Sequence, residues 1–346
     1  VAYDPDEPPS SDAGLFGLPF TPDDARVVLL PVPWDATTSY RPGTSRGPEA
    51  IRVASHQLDL YDAQYGEAWR AGIAMVEIPH ELVEHNRVAR GDAERVIAAG
   101  GRVDGDAALV AALARVNAAS AALDARVHAD ATRWLACGKL VGVVGGDHSV
   151  PFGAIRAIAE RHGDEPIGIL HVDAHADLRV AYEGFERSHA SIMANVAREL
   201  PIARLVQVGI RDQCAAEVAT VDRSDGRIVQ FRDDHIAAQL LDGTPWTALC
   251  KAIVDALPQH VYVSFDIDGL DPALCPHTGT PVPGGLSFQQ VALLLHRVVA
   301  AGKTIVGFDV VEVAPGPHGD EWDGNVGARV LYKLCGAALA SNHHDD

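Results

Sequence analysis

Short runs of β-branched and other apolar residues recur along the chain, and each is followed by a stretch with helical spacing of its apolar positions. The runs fall at residues 27–30, 73–78, 140–144, 167–172, 205–208, 228–231, 261–265 and 304–311. Helical patterns cover 48–58, 106–137, 151–161, 188–200, 245–257, 287–300 and 327–340, several of them opening on proline or serine as helix starts do. The alanine-rich 106–137 stretch is long for one surface helix, and a break is expected inside it. Eight apolar runs alternating with helices predict an α/β fold, a mostly parallel, doubly wound sheet with both faces covered. Residues 1–25, rich in proline, aspartate and serine, read as an extended arm. With no internal repeat and no linker after it, residues 26–340 read as a single domain.

Composition narrows the picture. A hydrophobic content of 47% in 346 residues is enough for a sizeable core. Lysine and arginine total 28 against 47 aspartates and glutamates, and the net charge of −19 repels phosphate backbones and anionic membranes. Neither nucleic acid nor membrane is an expected partner. No apolar run approaches the roughly 18 residues of a membrane span, and no leader-like stretch opens the chain. Five scattered cysteines, with no C-x-x-C pair, suggest neither a disulfide framework nor a zinc knuckle and point to the cytoplasm.

In parallel sheets ligands bind at the carboxyl ends of the strands, and three apolar runs end there in metal-ligand residue types. The third leads into Gly145-Gly146-Asp147-His148-Ser149, the fourth into Asp173-Ala174-His175-Ala176-Asp177, and the seventh into Asp266-Ile267-Asp268. Alternate side chains of an extended strand share a face, so Asp173, His175 and Asp177 project together, as do Asp266 and Asp268. With His148 they make four carboxylates and two imidazoles. That is too much negative charge for one small cation and suits two divalent ions sharing carboxylates. Asp147, Asp271 and Asp309 read as supporting residues, and the terminal His343-His344-Asp345-Asp346 run as a loose end.

The ordered set GGDHS, DAHAD and SFDIDGLDP, followed by GGLS and GFDVVEV, resembles the signature of the ureohydrolase (arginase/agmatinase) family; the likeness runs from about residue 28 to 334 and includes the early VPWDATTSYRPGTSRGPEAIR stretch. The resemblance implies a three-layer α/β/α fold on an eight-stranded parallel sheet, homotrimers or homohexamers, and two divalent ions per subunit, manganese first and nickel as the alternative. Carried over by motif, His148, Asp173, Asp177 and Asp266 would hold one ion, and Asp173, His175, Asp266 and Asp268 the other. Two such ions lower the pKa of a shared water and so provide a nucleophile at neutral pH. Glu312 matches the family's guanidinium-binding glutamate, and His189, in Ser188-His189-Ala190-Ser191, falls where relatives carry a proton-shuttling histidine.

The expected reaction is hydrolysis of a guanidinium C–N bond in a small guanidino compound, agmatine-type or guanidine itself, releasing urea with an amine or ammonia. L-Arginine should be a poor substrate. Arginases carry an aspartate in a Gly-Leu-Arg-Asp-x-Asp segment, where this chain has Cys214. The loop after Asp177 also lacks the pattern that relatives use for the amino-acid carboxylate. Tyr182, Phe185, Met193 and Trp322 are candidates to shape the pocket. A formiminoglutamate-type hydrolase releasing formamide, and a non-catalytic subunit on the same scaffold, are the competing readings.

Overall fold

Each of the eight apolar runs becomes a strand in the computed structural model, which describes residues 4–7 and 13–342. In chain order the first half comprises β1 (Val27–Val32), α1 (Gly47–Ala54), β2 (Ile73–Met75), α2 (His80–Ala98), α3 (Ala107–Ala136), β3 (Leu140–Gly145), α4 (Phe152–His162), β4 (Gly168–Val172), α5 (Ile192–Glu199) and β5 (Arg204–Val208). Then follow α6 (Ala215–Asp222), β6 (Ile228–Phe231), α7 (Asp233–Leu241), α8 (Trp246–Asp255), β7 (His260–Asp266), α9 (Phe288–Ala300), β8 (Thr304–Val311) and α10 (Trp322–Ser341). The sheet order is β2-β1-β3-β8-β7-β4-β5-β6, with every pair parallel.

Strand side chains alternate between two cores, which is why the runs are mostly apolar on both faces. Val27 and Leu29 join one core with Ile51 of α1, Leu249 of α8, Leu294 of α9 and Leu331 of α10. Val28 and Leu30 join the other, with Leu123 of α3, Ile155 of α4 and Val196 of α5. This is the three-layer α/β/α arrangement.

Helices α6 and α7 lie outside the helical patterns read from the sequence, and three further features depart from expectation. The 106–137 stretch contains no break. It is one 30-residue helix, capped by Asp106, whose side chain accepts from the amides of Ala108 and Leu109. Its alanine content and lack of glycine or proline favour uninterrupted helix. Though long and apolar enough to pass as a membrane span, α3 packs along α2 and α4.

Helix α2 was not legible because its buried stripe, Leu82, Asn86, Ala89, Ala93 and Val96, has the right spacing but little hydrophobicity. Asn86 is buried because it pairs with Asp35, Nδ2 donating to Oδ1 at 2.9 Å and Oδ1 accepting the Asp35 amide at 2.9 Å.

The extended arm expected over residues 1–25 is not extended at its end. Leu15, Phe16 and Leu18 are buried, and Phe16 meets Tyr332 of α10 edge-on at 5.0 Å. Three apolar residues within four positions outweigh the polar composition around them. The His343-His344-Asp345-Asp346 tail lies outside the described residues.

Candidate metal centre and active site

The four central strands, β3, β8, β7 and β4, are neighbours in the sheet, and their carboxyl ends carry His148, Glu312, the Asp266/Asp268 pair and the Asp173/His175/Asp177 triad. Val172 pairs with Phe265, so Asp173 and Asp266 emerge level, one residue further along each strand.

The loop after β3 is pressed against the end of β1. A Cβ on Gly146 would run into the Trp34 carbonyl oxygen, and the Asp147 amide donates to that oxygen at 2.8 Å. Only glycine permits this approach. It delivers His148, whose Nε2 lies 2.8 Å from the Ser264 hydroxyl. Its Nδ1 faces three carboxylate oxygens, Asp173 Oδ2 at 2.9 Å, Asp177 Oδ2 at 3.2 Å and Asp266 Oδ2 at 3.3 Å. Asp177 reaches this cluster from a left-handed backbone, φ 54°, a costly conformation for a non-glycine residue and one concentrated at functional sites.

A second group adjoins the first. His175 Nδ1 is 3.1 Å from Asp268 Oδ2 and 3.5 Å from Asp173 Oδ1. Asp268 accepts from the Ala174 amide at 3.0 Å, and its own amide donates to Asp266 Oδ1 at 2.8 Å. Two sets of potential metal donors result, His148/His171/Asp173/Asp177 and Asp173/His175/Asp268, with Asp173 common to both.

The electrostatics ask for cations. Burial, reinforced by Asp268 and Asp173, pushes the Asp266 carboxyl well above its usual range, and burial with Asp173 pushes Asp177 up to about 7. Burial opposes charge on His148, yet the carboxylates around it raise it well above an ordinary imidazole. Burial works against charge on Asp173 as well, and the imidazoles of His171, His148 and His175 around it hold its carboxyl well below the usual range. Carboxylates gathered out of water call for positive charge beside them, and an all-oxygen-and-imidazole donor set fits divalent ions of the manganese-to-nickel range.

Glu312 follows β8 in a left-handed conformation, φ 62°, and its Oε1 accepts from the His148 amide at 2.9 Å. Burial, then repulsion from Asp147, raises its carboxyl well above the usual range, so its negative charge is disfavoured until a cation comes beside it. Asp309 and Asp271 support backbone: Asp309 Oδ1 accepts from the Phe265 amide and Asp271 Oδ1 from the Ala273 amide.

Above the cluster lies a cavity of about 170 Å³ lined by Ser39, His175, Asp177, Arg179, Tyr182, His189, Asp212, Gln213, Glu217 and Thr280, among others. His189 has no hydrogen-bond partner at Nδ1 among the described residues, and burial, then His175 and His148, pushes it down to about 4. Tyr182 sets its ring against His189 at 6.1 Å and carries the Arg179 guanidinium on its face at 5.0 Å. Glu217 is held by the Leu178 and Cys214 amides, at 3.0 and 2.8 Å. A larger hollow of about 720 Å³, lined by Phe16, His56 and Trp69, contains none of these groups.

All six ligand candidates and Tyr182 therefore come together, with Glu312 tied to them through the His148 amide. Three pocket candidates do not. Phe185 is fully buried in a slot left by Ala93 and Val96 of α2 and Ala112 and Val116 of α3. Met193 is core, packed with the α4 and α5 side chains. Trp322 is 46% exposed at the start of α10, its indole N–H donating to the Ala273 carbonyl at 2.9 Å. Bulk near a motif in sequence does not specify which face it serves. His171, Ser264 and Gln207 are the residues the sequence reading passed over. The signal was available for two of them, since His171 and Ser264 each stand two residues before a ligand on the same strand face.

The sequence profile of the arginase family matches residues 25–336. The N(1)-aminopropylagmatine ureohydrolase of Thermus thermophilus is 36% identical over 87% of this chain and 87% of its own length. The proclavaminate amidinohydrolase of Streptomyces clavuligerus is 34% identical over 90% of this chain and 88% of its own. Among solved structures, the agmatine ureohydrolase of Thermoplasma volcanium superposes with a TM-score of 0.73 at 24% identity, covering 97% of this chain and 98% of that one, a likeness of fold.

Proposed function

The chain belongs to the arginase family, and from that membership we propose that it is a two-metal ureohydrolase cleaving the guanidinium C–N bond of an agmatine-type compound to urea and an amine. The observation that carries this reading is the pair of donor groups joined by Asp173, at the floor of a cavity that His189 lines. His148, Asp173, Asp177 and Asp266 would hold one ion, and Asp173, His175, Asp266 and Asp268 the other, manganese in preference to nickel. When bound, the ions supply Lewis acidity and a water acidic enough to act as nucleophile at neutral pH.

The chain's own residues do the rest. Glu312 binds two guanidinium N–H groups as a charge-assisted pair and aims the carbon. Because its charge is disfavoured by burial, a cationic substrate is the partner that stabilises it. His189 is neutral at pH 7, so it begins as a proton acceptor. It takes a proton from the attacking water as the C–O bond forms and passes it to the amine as the C–N bond breaks. His189→Ala is expected to lower kcat by about 10²-fold with metal content unchanged. An unaltered pH–rate profile in that variant would remove His189 from the mechanism.

Asp212 on the cavity wall favours a cationic tail, Glu217 being already engaged by the Leu178 and Cys214 amides and the Arg179 guanidinium, and the names of the relatives support the same substrate class. L-Arginine is disfavoured because Cys214 stands where an ammonium-binding carboxylate would be needed. Comparing kcat/KM for L-arginine, agmatine, aminopropylagmatine, 4-guanidinobutyrate and guanidine tests this. Agmatine or its aminopropyl derivative should lead; L-arginine leading, or formamide appearing in place of urea from a formimino substrate, would overturn it. Five cysteines without disulfides support a cytoplasmic location. A homotrimer or homohexamer is the assembly we expect.

A further inference from the structure

Beneath the ligand layer runs a row of polar side chains in cross-strand register. Asp309 of β8 pairs with Ser264 of β7, Ser264 with His171 of β4, His171 with Gln207 of β5, and Gln207 with Gln230 of β6. The first four are fully buried. A hydrophobic core has no need of such a row, since burying imidazole and amide groups costs free energy unless each is hydrogen-bonded.

The hydrogen bonds within it have one consistent direction. Gln207 Nε2 donates to the Ala176 carbonyl at 2.7 Å, an oxygen that can only accept, which fixes the orientation of the amide. The same nitrogen lies 2.9 Å from His171 Nδ1, so Nδ1 is the acceptor and the ring proton is on Nε2. His171 Nε2 then donates to Asp173 Oδ2 at 2.8 Å, the oxygen that also faces His148 Nδ1, so both ring nitrogens are taken and His171, though it lies among the donors of the first group, is not free to ligate. Behind Gln207, its Oε1 accepts from Gln230 Nε2 at 2.9 Å, and Gln230 Nε2 also donates to Gln213 Oε1 at 3.0 Å. Gln213 lines the cavity.

We propose that His171 and Gln207 are a positioning pair for Asp173: Gln207 fixes the His171 tautomer, and His171 holds the shared carboxylate in its ion-binding orientation from below. The proposal rests on the two-metal reading. It also accounts for the length of the row, since Gln213 Oε1 holds Gln230 Nε2, and Gln230 Nε2 in turn holds Gln207 Oε1 and so keeps the Gln207 nitrogen turned toward His171. Donors of this kind raise metal affinity by removing the freedom of the ligand to turn away.

Gln207→Met removes the donor at nearly constant volume, so nothing fixes the His171 proton on Nε2 and the ring is free to present a lone pair to Asp173. His171→Phe removes the donor outright and keeps a ring in the slot. Mn²⁺ binding to the full chain, measured in competition with a chelator, is expected to weaken 10- to 100-fold for at least one ion in each variant. The Mn²⁺ midpoint for urea release should shift by the same 10- to 100-fold, whereas loss of folded protein alone would lower the plateau at an unchanged midpoint. If one variant fails to fold, the other carries the test. Wild type taking up two ions while a folded variant binds Mn²⁺ with the same affinity would overturn this proposal alone. Wild type taking up none would overturn the two-metal reading and this proposal together.

Discussion

Asp173→Asn and Asp266→Asn should each abolish urea release, by more than about 10³-fold, and each should lose most of the bound metal. The carboxylate of Asp173 belongs to both donor groups, and Asp266 faces His148 through one oxygen while the Asp268 amide donates to the other. Removing either charge weakens both ion sites at once, and metal activation is worth several kcal/mol of transition-state stabilisation. Asparagine keeps an oxygen to accept the Asp268 amide, so the strand end retains its shape. The metal-free Asp266→Asn protein should unfold no earlier than metal-free wild type, because burial, Asp268 and Asp173 all disfavour the charge it removes. Elemental analysis, turnover and thermal melting read the three effects separately. A variant with two ions per chain and normal turnover would mean the shared-carboxylate assignment is wrong.

Glu312→Gln is expected to cost about 10²- to 10³-fold in kcat/KM, the size of effect seen when one partner of a buried charge pair is neutralised. The amide oxygen can still accept the His148 N–H, so the loop holding His148 should stay in place and the metal content should not change. That separates Glu312 from the ligands. Loss of metal in this variant would make Glu312 a structural support of the His148 loop, and unchanged kcat/KM would exclude it from guanidinium binding.

The parts of this protein that were legible in its sequence are those where one physical demand dominates. A strand buried on both faces must be mostly apolar, and all eight runs became strands. Side chains gathered on one face at a strand end alternate along the sequence, and Asp173-x-His175-x-Asp177 does. What stayed hidden was set by tertiary partners. Helix α2 buries Asn86 against Asp35, a bond no periodicity reveals. Phe185 and Met193 lie close to His189 in sequence but belong to the core. His171 and Gln207 owe their burial to cross-strand neighbours 36 residues apart, and a polar residue inside an apolar run gives no hint of its partner.

The central claim is that this chain hydrolyses a guanidinium group with two divalent ions held between His148 and Asp268. The most direct measurement is to strip the protein of metal, titrate Mn²⁺ back, and follow bound ions per chain and urea released from agmatine together. Activity should be absent from the stripped protein and should rise to a plateau at two ions per chain, with one urea for each guanidino group consumed. Full activity without metal, or a plateau at one ion, would contradict it.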